Sequence, residues 1–177
     1  MLKTLRQMCR TGIVTEQPPS SDDALRSPGA LQLLILEVLG RALCIRAIDA
    51  GSCNGCELEI HALNNAFYDL ERFGLRFVAS PRHADVLMVT GPVTRNMRQG
   101  LERTYDAMPR PRWVVAVGGC ARDGGLFAAS PACAGGVAAV LPVDLWIAGC
   151  PPTPFDLLQG LLTLLRPSSS GSPPLGQ

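Results

Sequence analysis

The sequence predicts an α/β protein built on an open, mostly parallel, flavodoxin-like sheet with helices on both faces. Three observations predict it. Short, almost wholly apolar runs such as "DVLMVT" (85–90) and "WVVAV" (113–117) are typical of strands covered on both sides. They alternate with segments whose apolar residues recur every three or four positions, as on a helix. Glycine or proline stands at most of the junctions. Strands and helices alternating in this way build a parallel sheet.

Taken in order, residues 31 to 41 read as a helix, and "LCIRAID" (43–49) alternates as a strand that stops before Gly51. Ile60, Leu63, Phe67 and Leu70 follow at helical spacing, and Gly74 supplies a C-terminal stop. "LRFV" (75–78) and "DVLMVT" are the next two strands. Thr94 is placed to cap a helix whose Met97, Leu101, Tyr105 and Met108 share a face, with Pro109 closing it. "WVVAV" is the fourth strand and "VDLWIA" (143–148) the fifth. Thr153, Pro154 and Asp156 then form a helix-opening signature, a capping residue with proline first and a carboxylate third, for a helix running to Leu165.

Outside this block the chain reads differently. Residues 1–29 form an N-terminal segment and linker. The first ten, "MLKTLRQMCR", place Leu2, Leu5 and Met8 on one helical face with basic residues elsewhere, while "TEQPPSSDDALRSPG" (15–29) has linker composition. Residues 30–165 form the folded domain, and 166–177, "RPSSSGSPPLGQ", a tail too polar to order itself.

Composition excludes several functions. The formal net charge is only +1, and the 16 basic residues are scattered rather than gathered in a stripe with aromatics, so no nucleic-acid partner is expected. The longest early apolar run, "LQLLILEVLG", is too short to span a bilayer and carries Glu37. Seven cysteines, an odd number, without a secretory signal point to a reducing cytoplasm and to thiols kept for metal or redox chemistry.

Four of those cysteines share one topological position. Cys53 and Cys56 in "GSCNGCELEI" follow the first strand, Cys120 follows "WVVAVGG", and Cys150 follows "VDLWIAG". In a parallel sheet the carboxyl ends of the strands lie along one edge, where ligands bind. Residues 67 and 30 positions apart therefore meet there. Gly51, Gly55, Gly118, Gly119 and Gly149 flank them and would let backbone amides approach sulfur. Four thiolates with amide donors suit a 4Fe-4S cluster. Spacing alone leaves two other readings open, a structural zinc site and a thiol redox pair at Cys53 and Cys56. Cys9, Cys44 and Cys133 are expected to be small buried or incidental residues.

"GSCNGCELEI", "SPRHADVLMVTGPVTRNM", "MPRPRWVVAVGGCARDGG" and "VLPVDLWIAGCPPTP" together resemble one family over about residues 43–165. It is the small iron-sulfur subunit shared by respiratory complex I, as its 20 kDa subunit, and the membrane-bound, energy-converting nickel-iron hydrogenases of the formate hydrogenlyase type. The resemblance implies one 4Fe-4S cluster held by Cys53, Cys56, Cys120 and Cys150. It also implies electron relay between a ferredoxin-like iron-sulfur subunit and a large catalytic subunit, beside integral membrane subunits and peripheral to the cytoplasmic side of the cell membrane. By itself such a subunit catalyses nothing. The Cys-Asn-Gly-Cys-Glu order resembles the hydrogenase branch, whereas complex I relatives carry adjacent cysteines. A complex I-type subunit passing electrons to quinone is therefore the second expectation, and a zinc-stabilised structural subunit the third. Glu57 matches the hydrogenase pattern and Glu59 the complex I pattern. Either carboxylate is expected to relay protons, or simply to favour the positive end of the helix it opens. Arg82 and His83 match a family loop and are expected either to form a solvated arginine and an unremarkable histidine on a surface loop or to turn positive charge toward the cluster or a partner. The first residues resemble the start of the ferredoxin-like partner, with no cluster motif behind them.

Overall fold

The computed structural model describes Leu33, Ile35 and residues 40–165. The expected segments over 1–29 and 166–177, Cys9, and most of the helix expected over 31–41 lie outside the described residues. Leu33 and Ile35 are helical, and Ile35 is fully buried.

Five strands form one sheet: β1 (Leu43–Asp49), β2 (Leu75–Phe77), β3 (Val86–Thr90), β4 (Trp113–Val117) and β5 (Leu145–Ile147). Their order is β2-β1-β3-β4-β5 and every pairing is parallel. The sheet is thus wholly rather than mostly parallel. Besides the helical Leu33 and Ile35, the described residues form four α-helices: α1 (Gly55–Ala62), α2 (Arg95–Asp106), α3 (Gly118–Asp123) and α4 (Pro154–Leu165).

Period-two alternation along the strands divides the core. Val86 and Met88 of β3, with Val115 and Val117 of β4, pack under Ile60 of α1 and Leu157, Leu158, Leu161 and Leu162 of α4. Leu87 and Val89, with Val114 and Ala116, pack on the other side beneath Leu101 of α2 and Ala121 of α3. β3 lies at the centre with all five residues buried, as its apolar run requires. Thr153 opens α4 through a reciprocal cap. Its hydroxyl donates to Asp156 Oδ2 at 2.7 Å and accepts the Asp156 amide at 3.2 Å.

Three expected elements differ. The helix foreseen from Ile60 to Gly74 stops at Ala62, and only a short 3₁₀ turn, Leu70–Phe73, precedes Gly74. Asn65 Oδ1 accepts the amides of Phe67 and Tyr68, each at 2.9 Å, and so diverts the backbone from the helical ladder. Phe67, counted on the apolar face, is 77% exposed. Thr94 does stand at the α2 N-cap, but its hydroxyl bonds the Ala50 carbonyl at 3.0 Å and ties the helix start to the end of β1. The fifth strand is shorter than "VDLWIA". Asp144 lies outside it and accepts the Val114 amide through Oδ2 at 2.7 Å.

Candidate functional site

Because every strand points the same way, the segments after β1, β4 and β5 emerge on one edge, and they carry the four cysteines. Cys53 and Cys150 are exposed, whereas Cys56, in the first turn of α1, and Cys120, within α3, are half-buried. Asp49 Oδ1 gathers the amides of Gly51 and Ser52, both at 2.7 Å, and Ser52 Oγ accepts the amide of Asn54 at 3.0 Å. These bonds shape the loop before Cys53. The Gly119 amide donates to the Gly149 carbonyl at 2.9 Å, stitching the Cys120 segment to the Cys150 segment.

Backbone comes close to sulfur at two glycines. A Cβ on Gly118 would stand 2.8 Å from Cys56 Sγ, and one on Gly125 would stand 2.8 Å from Cys120 Sγ. Both glycines have positive φ, 84° and 50°. The Leu126 backbone amide favours the ionised form of the Cys120 sulfur. Such a cradle leaves room for large sulfur-bound groups and supplies donors to them.

The four thiols feel one another. Burial first, then the charges of Glu57, Cys150, Cys53 and Cys120, push the Cys56 thiol up to about 12. Burial, then Cys150 and Cys53, raises Cys120, against the pull of the Leu126 amide. Ionising the set together calls for a positive centre among them, and a coordinated metal supplies one. Among the described residues no group of three or more His, Cys, Asp or Glu side chains is arranged to hold a single metal ion. By the chemistry of the donors, four cysteine thiols beside glycine backbone are a set that suits a sulfur-ligated metal group.

A cation stack braces the same edge. The Arg122 guanidinium lies 4.3 Å from the centre of the Trp146 ring, and the Trp146 indole N–H donates to the Gly118 carbonyl at 3.0 Å. Arg122 is two residues past Cys120, and Trp146 is four residues before Cys150. Sequence reading missed this pair, because nothing local links a residue of α3 to one of β5.

Of the carboxylates, Glu57 lies in the first turn of α1, and both of its oxygens are buried without a hydrogen-bond partner. It lines a hollow of about 320 Å³ with Arg46, Asp49, Ile60, His61 and Phe77 among others. Glu59 does not line that hollow. Two signals for it were available, an arginine inside the strand "LCIRAID" and the i, i+4 placement of Glu57 and His61 on one helix face.

Other expected residues stand elsewhere. Arg82 and His83 precede β3, where the Asp85 amide meets the Cys44 carbonyl near the start of β1. That is the amino end of the sheet, so they do not turn toward the cysteine edge. β2 ends level with Ile45 and the chain crosses back early. Cys133 pairs through its backbone with Thr94, accepts the Gly135 amide at 3.3 Å, and is not among the charges that act most on Cys56 or Cys120. Cys44 is buried against Arg76 Nε at 3.3 Å. Its amide joins a tight ion pair, in which Asp85 Oδ2 accepts from Cys44 at 3.0 Å and from Arg41 at 2.8 Å. Among the described residues no helix is long and apolar enough to cross a membrane.

Residues 53–164 match the family described as NADH ubiquinone oxidoreductase, 20 Kd subunit. The chain is 40% identical over 132 residues to the probable membrane-bound hydrogenase subunit mbhJ of Pyrococcus furiosus, covering 75% of this chain and 79% of that protein. It is 39% identical over 148 residues to formate hydrogenlyase subunit 7 of Escherichia coli, covering 84% of this chain and 57% of the relative. Among solved structures it resembles a chain of the membrane-bound sulfane sulfur reductase, an archaeal respiratory membrane complex. That match has a TM-score of 0.65 and 32% identity, and covers 77% of each chain. A chain of an NAD+-reducing nickel-iron hydrogenase shares the fold, with a TM-score of 0.57 at 22% identity over 71% of this chain and 92% of that one.

Proposed function

Because the chain belongs to the family of the 20 kDa subunit of NADH ubiquinone oxidoreductase, we propose that it is the electron-transfer subunit of a membrane-bound hydrogenase or hydrogenase-like complex. It would carry one 4Fe-4S cluster on Cys53, Cys56, Cys120 and Cys150. A bound cluster accepts and returns one electron at a time, and the fold's part is to hold it at the sheet edge between two partners. Those partners are a ferredoxin-like subunit and a large catalytic subunit, with integral membrane subunits beneath and this chain peripheral on the cytoplasmic side.

One observation carries the reading: four thiols from three segments distant in sequence emerge on one edge and perturb one another there. The Cys-x-x-Cys of a redox pair would leave Cys120 and Cys150 without work. Two similar relatives are named as hydrogenase and formate hydrogenlyase subunits, which favours the hydrogenase branch. Gly118 and Gly125 keep the sulfurs accessible, the Leu126 amide favours the Cys120 thiolate, and Glu57 offers a carboxylate beside Cys56 to hold or pass a proton. Glu59, off the hollow, is the weaker candidate for that role.

Low-temperature EPR with iron and zinc analysis tests this on the complex purified without oxygen, comparing wild type with Cys120→Ser. A fast-relaxing signal that appears on reduction and disappears in the variant is the expected result. Stoichiometric zinc without iron would sink the proposal.

A further inference from the structure

Among the described residues, three buried side-chain polar atoms have no hydrogen-bond partner: Arg46 Nε and both carboxylate oxygens of Glu57. Both residues line the same hollow of about 320 Å³ beside β1 and α1. Folded proteins pair nearly all such atoms, so two orphaned groups facing one cavity ask for a partner that arrives from outside.

The backbone points the same way. β2 pairs with β1 only from Leu43 to Ile45, and Val78 closes the ladder by donating to the Ile45 carbonyl at 2.8 Å. Ala47, Ile48 and Asp49 pair with β3 on one side and have no described strand beside them on the other. β1 therefore ends in a short free edge that forms one wall of the hollow.

The charges narrow the occupant. Asp49 Oδ1 is already engaged by the amides of Gly51 and Ser52, whereas Glu57 has nothing. Ile48, Ile60, Phe77 and Val78 make the remaining wall largely apolar, suited to the aliphatic stem of a long basic side chain. We infer that the hollow is a docking socket for an extended segment of a neighbouring subunit. The segment lies along the free edge of β1, sends an arginine or lysine to the Glu57 carboxylate, and gives a backbone carbonyl to Arg46 Nε. This rests on the reading of the chain as one subunit of a larger complex.

Photocrosslinking in the intact complex tests it. Benzoylphenylalanine is placed at position 64, where Asn64 is exposed at the rim of the hollow, and, as a control, at position 103 on α2. Position 64 is expected to capture a peptide of a stoichiometric partner subunit that contains arginine or lysine, and position 103 is not. Changing that basic residue to Glu should cut retention of this chain about tenfold, and pairing the change with Glu57→Arg should restore most of it. Capture of this chain's own residues, of a lipid or of another small molecule overturns the socket, as does a charge swap that restores nothing. If no other subunit co-purifies with the wild-type chain, the proposed function itself falls.

Discussion

Replacing Gly118 by alanine probes whether the backbone was shaped around the Cys56 sulfur. Gly118 has φ of 84°, a region where a residue with a Cβ is strained by about 1–3 kcal/mol. The new methyl would also stand 2.8 Å from Cys56 Sγ, too close for either to stay in place. The sulfur is free to swing away about its single side-chain torsion, which relieves the clash cheaply but takes the thiol out of the site. The stability cost therefore stays near the strain alone, and the larger loss falls on metal binding. The adjacent Gly119 is an internal control: its Cβ would meet only the Gly149 carbonyl, at 4.0 Å, and it lies within α3. Alanine there should be neutral or stabilise by about 0.5–1 kcal/mol. Urea denaturation and iron content per chain, measured without oxygen on both variants, separate the two effects. Gly118→Ala should lower stability by about 1–3 kcal/mol and lose most of its iron, and Gly119→Ala should keep both. Equal iron content in the two variants would refute the idea that Gly118 makes room for sulfur.

Trp146→Phe removes the indole N–H from the Gly118 carbonyl while leaving a ring under Arg122. It should cost about 1–3 kcal/mol in urea denaturation, whereas a loss no greater than that of an exposed substitution would count against the brace. Thr153→Ala deletes the reciprocal cap of α4 and should cost about 1 kcal/mol, read as a lower urea midpoint with an unchanged slope. The metal-free protein should lose stability as pH rises from about 9 toward about 12. The folded Cys56 thiol keeps its proton to about 12 while the unfolded one releases it near 9.0, so the folded state binds more protons across that window. Cys56→Ala should flatten that alkaline limb in denaturation measured across the pH series.

Most of the strands, and where the candidate ligands fall, were legible in the sequence. "DVLMVT" and "WVVAV" have few other uses than strands buried on both faces, and β3 and β4 are such strands. Cysteines placed just past strand ends needed only parallel pairing to meet. The helix foreseen to Gly74 failed because Asn65 carries its own competing hydrogen bonds, a local effect that apolar spacing does not register. Arg82 and His83 were placed by motif likeness, and the early end of β2 put them at the amino end of the sheet.

Local chemistry in the sequence thus determined strand positions, the cap of α4 and the candidate ligand set, since burial pattern, side-chain donors and residue spacing act over a few residues. Tertiary structure alone decided which distant groups meet. Arg122 over Trp146, Gly118 against Cys56, and the orphaned Arg46 and Glu57 at one hollow all depend on strand order and on where β2 ends. Sheet order follows from how two layers of helices bury both faces at once, an energy summed over the whole core, and no local stretch of sequence contains that sum.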